Sequence, residues 1–217
     1  MPPVISVVGI GNVGKTTFIE KLVAELKSRG YQVATIKHTP AGMTYDEQGR
    51  DSWRHLQAGS DATAVSSPER VVLVKPAASE LSLEEVARLM GEDYDIILAE
   101  GFKQSSAPKI EVHRRAVGPP LGDLTKLIAI VTDETLKTEA RQFALDDVKG
   151  IADLLEKGFI IPQRERITLY VNNTPVVLTS FPREIITNIV MALASSLKGV
   201  GEIKSIDISL RRATKRD

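Results

Sequence analysis

Apolar positions in the first 130 residues fall into two rhythms that alternate along the chain. Val4-Ile5-Ser6-Val7-Val8 is a short β-branched run, the pattern of a strand buried on both faces. A glycine-rich turn follows, and Phe18, Ile19, Leu22, Val23 and Leu26 then recur at helical spacing from Lys15 to Arg29, with Gly30 as the stop. Tyr31 to Lys37 predicts a second strand. Residues 38–49 have no period and carry Pro40, Gly42 and Gly49, so a long loop is expected. Asp51 stands where an N-cap would open a short helix to about Ala58, and Ala62 to Ser66 and Arg70 to Val74 read as short strands. Ser82 and Glu85 form a capping box ahead of Val86, Leu89 and Met90. Tyr94 to Ala99, Lys109 to Val112 and Leu127 to Val131 complete the strands. Strands interleaved with helices define an α/β fold with a mostly parallel, helix-flanked sheet.

After Gly158 the texture changes. Ile167 to Val171 and Val176 to Leu178 flank Asn172-Asn173-Thr174-Pro175 as a hairpin. From Pro182, residues Ile185, Ile186, Ile189, Val190, Leu193 and Leu197 mark an amphipathic helix that Gly199 and Gly201 end. Ile203, Ile206 and Ile208 suggest a closing strand. The expected organisation is a main domain over 1–157 and a small α+β (β-β-α-β) accessory domain over 158–217, which packs on the main domain or supports self-association or partner docking.

Composition narrows the class. With 42% hydrophobic and 26% charged residues in 217, the chain can bury a core and is neither disordered nor fibrous. Its 28 basic and 28 acidic residues cancel, which removes any global pull toward nucleic acid or anionic membrane. The basic run Arg211 to Arg216 reads as a solvated end. The absence of cysteine excludes disulfides and thiolate metal sites and favours a cytoplasmic protein. No signal-peptide pattern precedes Val4, and no apolar run approaches the ~20 residues of a membrane span.

The chemistry starts at Gly9-Ile10-Gly11-Asn12-Val13-Gly14-Lys15-Thr16, which satisfies G-x-x-x-x-G-K-[ST] and is followed by Thr17. Glycines let successive backbone N–H groups converge on phosphate oxygens, and the helix that follows adds its positive end. Lys15 is placed to reach the terminal phosphates, and Thr16 to put its hydroxyl on Mg²⁺. The motif lies between a predicted strand and a predicted helix, as a P-loop NTPase requires. Glu100 ends a strand expected beside this loop, where an acid can hold a magnesium-bound water or orient an attacking one. Asp95, at the other end, caps the strand.

Other candidates carry two readings each. Asp46, Arg50, Asp51 and His55 can fold over a nucleotide, or Asp51 can simply cap its helix. His38 follows a strand tip, suited to a phosphate or metal contact or to a structural role. Lys103, Lys109, Arg114 and Arg115 place positive charge after Glu100, for an anionic ligand or for water alone. Asp133 ends a strand and can accept from the N1 and N2 donors of guanine, although the Asn/Thr-Lys-x-Asp context is missing.

In order and at fitting distances the chain carries Gly9 to Thr17, Thr35-Ile-Lys-His38, Asp51-Ser-Trp-Arg-His55 with Ala58-Gly59, Glu100-Gly-Phe-Lys103 and Pro108-Lys-Ile-Glu-Val112. Over residues 4 to 157 the chain resembles the MobB family, the molybdopterin-guanine dinucleotide biosynthesis adaptor proteins. The resemblance implies a homodimeric GTP-binding protein with weak GTPase activity that assists the enzyme attaching GMP to molybdopterin. It further implies phosphate binding by Gly11 to Thr17, Mg²⁺ near Thr16, and roles for Asp51 and Glu100 around the metal and γ-phosphate. The molybdopterin side is then expected near Lys103 to Lys109. Asn12 and Val13 depart from the family's usual loop residues, and Pro40, Ala41 and Gly42 replace further histidines, so no histidine-cluster role carries over. No glutamine or arginine finger is identifiable, which implies slow turnover. An ATP-using small-molecule kinase remains the alternative; a metal-insertion GTPase would want cysteines.

Overall fold

A computed structural model describes residues 1–39, 49–163, 166–172 and 174–210. Most of the expected 38–49 loop, with Asp46, and the basic run 211–217 lie outside the described residues. The chain divides into two units, Met1–Arg164 and Glu165–Asp217.

In the first unit six strands form one sheet in the order β2-β5-β1-β6-β7-β8, and every neighbouring pair is parallel. They are β1 (Val4–Val8), β2 (Val33–Lys37), β5 (Ile96–Glu100), β6 (Lys109–Val112), β7 (Leu127–Thr132) and β8 (Arg141–Ala144). β3 (Thr63–Ser66) and β4 (Val71–Val74) make a separate antiparallel hairpin. Helix α1 (Lys15–Ser28) and α4 (Val148–Leu155) cover one face of the sheet. Phe18, Leu22, Leu26, Ile151 and Leu155 pack there on Ile5, Val7, Leu98, Ile110 and Val131. Helix α3 (Leu83–Met90) covers the other face at its β2–β5 end, with Leu83 and Ala87 on Ala34, Ile36, Ile97 and Ala99. The Ser82–Glu85 capping box forms as its spacing requires. On that same face β1 and β6 bury polar groups, namely Ser6, Lys109 and Glu111.

Helix α2 (Asp51–Gln57) precedes β3 and packs against it, and its start corrects the reading of Asp51 as an N-cap. Arg50 caps the helix in extended conformation and Asp51 is its first residue, where a carboxylate still complements the helix dipole. β8 carries no apolar period and is not legible in the sequence; α4, unassigned there as well, does set Val148, Ile151, Ala152 and Leu155 at helical spacing, but over only eight residues. Helical structure continues past residue 157 through a π-turn at Glu156–Ile160, which buries Ile160, and a 3-10 turn at Ile161–Gln163. The chain's contacts therefore divide later than residue 157.

The second unit holds the hairpin β9 (Leu169–Val171) and β10 (Thr174–Val176), then α5 (Ser180–Ser195). Asn172 takes a φ of 49°, as a two-residue hairpin turn demands. α5 starts two residues before Pro182; proline is tolerated in a first turn, whose N–H groups lack intrahelical partners. The expected strand across Ile203 to Ile208 does not form: the step from Ile203 to Ile206 breaks the period of two. Among the described residues no helix is long and apolar enough to cross a membrane.

Candidate functional site

The site grows from the end of β1. Gly9 has φ 153°, and a Cβ there would fall 2.4 Å from the carbonyl oxygen of Val112, so the strand can turn away from β6 only at a residue without a side chain. Asn12 sits in the left-handed region at φ 60°, which asparagine tolerates, and Gly14 at φ 100° is the N-cap of α1. The loop is closed by its own lysine: Lys15 Nζ donates to Ile10 O at 2.8 Å and to Gly9 O at 3.3 Å. Burial pushes the Lys15 pKa below its ordinary value, Glu100 opposes this, and Lys103 and Lys37 add to it.

β5 pairs with β1 in the register Val7↔Glu100, which brings the end of β5 beside the loop. Thr16 Oγ1 donates to Glu100 Oε2 at 2.9 Å, and Lys37 Nζ stands 3.7 Å from Glu100 Oε1. The site is therefore an anion cradle with one carboxylate and several ammonium groups at one end. Mg²⁺ fits it, because the cation needs only one or two protein oxygens and takes its other ligands from phosphate and water. Thr16 and Glu100 are two such oxygens in contact. Among the described residues no cluster of three His, Asp or Glu side chains forms a self-sufficient metal site.

The remaining candidates are distributed as follows. The His38 ring stacks on Phe102 at 4.7 Å, its Nε2 is 2.5 Å from Glu80 Oε1, and its backbone N–H donates to Glu100 O, so it props the strand end that carries Glu100. Asp51 is 90% exposed on α2 and pairs with Arg54 at 3.6 Å, not with Thr16 or Glu100. His55 is exposed on the same helix. Asp95 accepts from Gln32 N–H, tying β5 to the segment before β2. Lys109 is fully buried, with Nζ donating to Ser105 O, Ala107 O and Thr125 O at 2.6, 3.0 and 3.2 Å. Lys109 is a structural pin, whereas Lys103 is exposed and sends its field toward Lys15. Asp133 Oδ1 accepts from Arg115 N–H at 2.9 Å, which joins the ends of β6 and β7. Sequence reasoning missed the use of Arg114: its Nε donates to Val13 O at 3.0 Å, on the phosphate loop itself.

A glycine loop between β1 and α1, a lysine folded into it and an acid at the end of the adjacent strand define the P-loop NTPase fold. The family profile described as molybdopterin guanine dinucleotide synthesis protein B (MobB) matches residues 4–133. The chain belongs to the MobB family. It is 33% identical over 156 residues to a molybdopterin-guanine dinucleotide biosynthesis adapter protein of Haemophilus influenzae, with 71% of this chain and 88% of that protein covered. It is 34% identical to the Escherichia coli adapter protein, covering 71% and 92%. A putative adapter protein of Methanocaldococcus jannaschii is 26% identical but covers 95% of this chain and 97% of its own length, so that match extends beyond the main domain. Among solved structures, a molybdopterin-guanine biosynthesis protein B superposes with a TM-score of 0.58 at 25% identity, covering 71% of this chain and 98% of that one. A MobB homologue from Bacillus stearothermophilus gives 0.53 at 28%, covering 71% and 95%.

Proposed function

We propose that this chain is a GTP-binding, Mg²⁺-dependent adapter in molybdopterin guanine dinucleotide biosynthesis, with slow GTP hydrolysis. The observation that carries the reading is the Thr16–Glu100 hydrogen bond beside Lys15, at the mouth of the glycine loop. In this scheme the N–H groups from Gly9 through Thr17, including Gly11, Asn12, Val13 and Gly14, cradle the phosphates. Lys15 leaves the Gly9 and Ile10 carbonyls for the terminal phosphates. Thr16 and Glu100 hold Mg²⁺, which supplies charge stabilisation when bound. Asp51, paired with Arg54, has no contact with this pair, and the scheme works without it. Asp133 is the acceptor for the base. Catalysis in this scheme rests on position and charge, which fits slow turnover.

The partners in this reading are molybdopterin or its guanylylating enzyme, and a second copy of the chain. Self-association is supported by the β3–β4 hairpin, which exposes Val65, Val71 and Leu73 at 50%, 67% and 53%. Competition of unlabelled GTP and ATP against fluorescent GTP with Mg²⁺ tests the central reading. GTP preference, lost at least about tenfold in Lys15→Ala, is the expected result. GTP binding that survives Lys15→Ala unchanged would overturn it, and ATP preference would replace it with the kinase reading.

A further inference from the structure

Arg114 follows β6 and leans on the phosphate loop. Its Nε donates to Val13 O at 3.0 Å, and Nε and Nη2 stand 3.6 and 3.7 Å from where a Cβ on Gly14 would lie. No carboxylate among the described residues pairs with it, and its Nη groups have no acceptor there. One N–H thus anchors a guanidinium whose other four remain open, a planar donor fork held in place.

Two features say which part of a nucleotide meets this fork. The first is direction. Glu100, Thr16 and Lys37 mark the metal and terminal-phosphate end, on the β5 and β2 side of β1. With its phosphates in the loop, a nucleotide must run its base the other way, over the ends of β6 and β7. Arg114 stands at the end of β6. The second is the side of the loop that it touches. The N–H groups of a phosphate nest converge on the anion while its carbonyls turn outward, and Arg114 binds a carbonyl. The guanidinium therefore flanks the cradle and does not enter it.

An acceptor stands next to these donors. Asp133, just past the end of β7, holds Arg115 N–H at 2.9 Å through Oδ1 and is exposed to solvent. Guanine presents O6 and N7 as acceptors and N1–H and N2–H₂ as donors. Adenine replaces the O6 acceptor with an amino donor, which would face the guanidinium N–H groups donor to donor. Arginine against guanine O6 and N7 is a favoured bidentate match.

We propose that Arg114 selects the base, its guanidinium N–H groups donating to guanine O6 and N7 beside Asp133. The inference rests on the GTP-binding reading above and adds the residue that makes the choice. A bidentate contact of this kind discriminates by about 10- to 100-fold.

The test is competition by GTP, ITP, ATP and inorganic tripolyphosphate against fluorescent GTP, for the wild type, Arg114→Met and Arg114→Lys, with thermal melts of each. ITP keeps O6 and N7 but lacks the N2 amine, so it separates the arginine contact from any contact to N2. Expected for Arg114→Met is a loss of about 10- to 100-fold for GTP and ITP alike, with ATP unchanged or tighter and tripolyphosphate unchanged, so that the purine preference closes. Arg114→Lys, which keeps the charge and loses the fork, should fall between; it also carries the test if the methionine variant does not fold. Equal weakening of GTP, ATP and tripolyphosphate would overturn the proposal, because Arg114 would then only brace the loop. An unchanged GTP-to-ATP ratio in both variants would overturn it as well and leave GTP binding standing. A wild type that does not discriminate between GTP and ATP would instead remove the GTP reading itself.

Discussion

Gly9 and Gly11 belong to one motif but hold their places for different reasons, and the difference can be measured. A Cβ on Gly9 would lie 2.4 Å from Val112 O and 2.9 Å from Val13 Cγ1. Relief requires a shift of more than half an ångström in a buried backbone. Val112 is 2% exposed, and the next residue, His113, is bonded to Val131 O at 2.8 Å, so β6 cannot yield without disturbing β7. Overpacking of this kind costs about 1–3 kcal/mol, and a side chain at positive φ about 1–2 more. Gly9→Ala should therefore lose about 2–5 kcal/mol, a fall of roughly 4–20 °C in Tm for a unit of this size. Gly11 has nothing within 4 Å of an added Cβ and no positive φ. Gly11→Ala should stay within about 0.5 kcal/mol in stability. Trp53, the chain's one tryptophan, lies on α2 in the first unit, so its fluorescence during denaturation reports that unit. A Gly9→Ala protein that melts with the wild type, or a Gly11→Ala protein that falls as far, would refute the reasoning.

Three further outcomes follow from the site and the polar strip beneath it. Glu100→Gln should leave nucleotide affinity in EDTA unchanged or tighter, and should cut the gain from Mg²⁺ by at least about tenfold; a full Mg²⁺ gain would contradict the assignment of Glu100. Lys109→Met strands three carbonyls that now accept from a buried ammonium. It should cost about 2–4 kcal/mol in denaturant unfolding and spare nucleotide affinity in the folded protein. A variant as stable as the wild type would show that Lys109 is no structural pin. Glu111 is 1% exposed; burial raises its pKa, against the Leu121 N–H that it accepts and the charges of His113 and Lys103. The folded state thus holds that proton more tightly than the unfolded one, and stability falls as pH rises from the usual carboxylate range through the raised value. Glu111→Gln cannot ionise, so it should gain on the wild type as pH goes from 4.5 to 7 in thermal melts; a difference that stays flat with pH would exclude this role.

Legibility tracked the physical source of each element's order. β1, β5 and β7 are buried on both faces and announce themselves as continuous apolar runs. β8 has the sequence Arg-Gln-Phe-Ala and holds its place as an edge strand by hydrogen bonds to β7 and by Phe143 against the core, and one apolar residue makes no pattern. α4 is only eight residues long with Gly150 in its first turn; its start is written in the Asp147 side chain, which accepts from Gly150 N–H. The phosphate loop could be read because backbone geometry dictates its glycines at fixed spacing. The contact of Arg114 with that loop could not, because two adjacent arginines past His113 read only as positive charge until the sheet order sets β6 against β1.

The contacts within the loop also bear on how binding is balanced. Lys15, Thr16 and Glu100 are already satisfied, by Gly9 and Ile10 carbonyls and by one another. A phosphate chain therefore exchanges these contacts and does not simply add new ones, so the net affinity is smaller than a count of contacts would suggest. What is not balanced is charge. Lys15 feels one carboxylate, Glu100, against the two positive charges of Lys37 and Lys103, and burial already disfavours the charged Lys15. A polyanion relieves that excess directly, whereas Mg²⁺ is drawn by Glu100 and repelled by the lysines until the phosphates are in place. The arrangement thus favours an order of events in which phosphate enters first or together with its metal, and a free metal ion alone gains little. Calorimetry with Mg²⁺ alone should accordingly show no tight site; a low-micromolar Mg²⁺ heat without nucleotide would mean that the lysines do not set the balance.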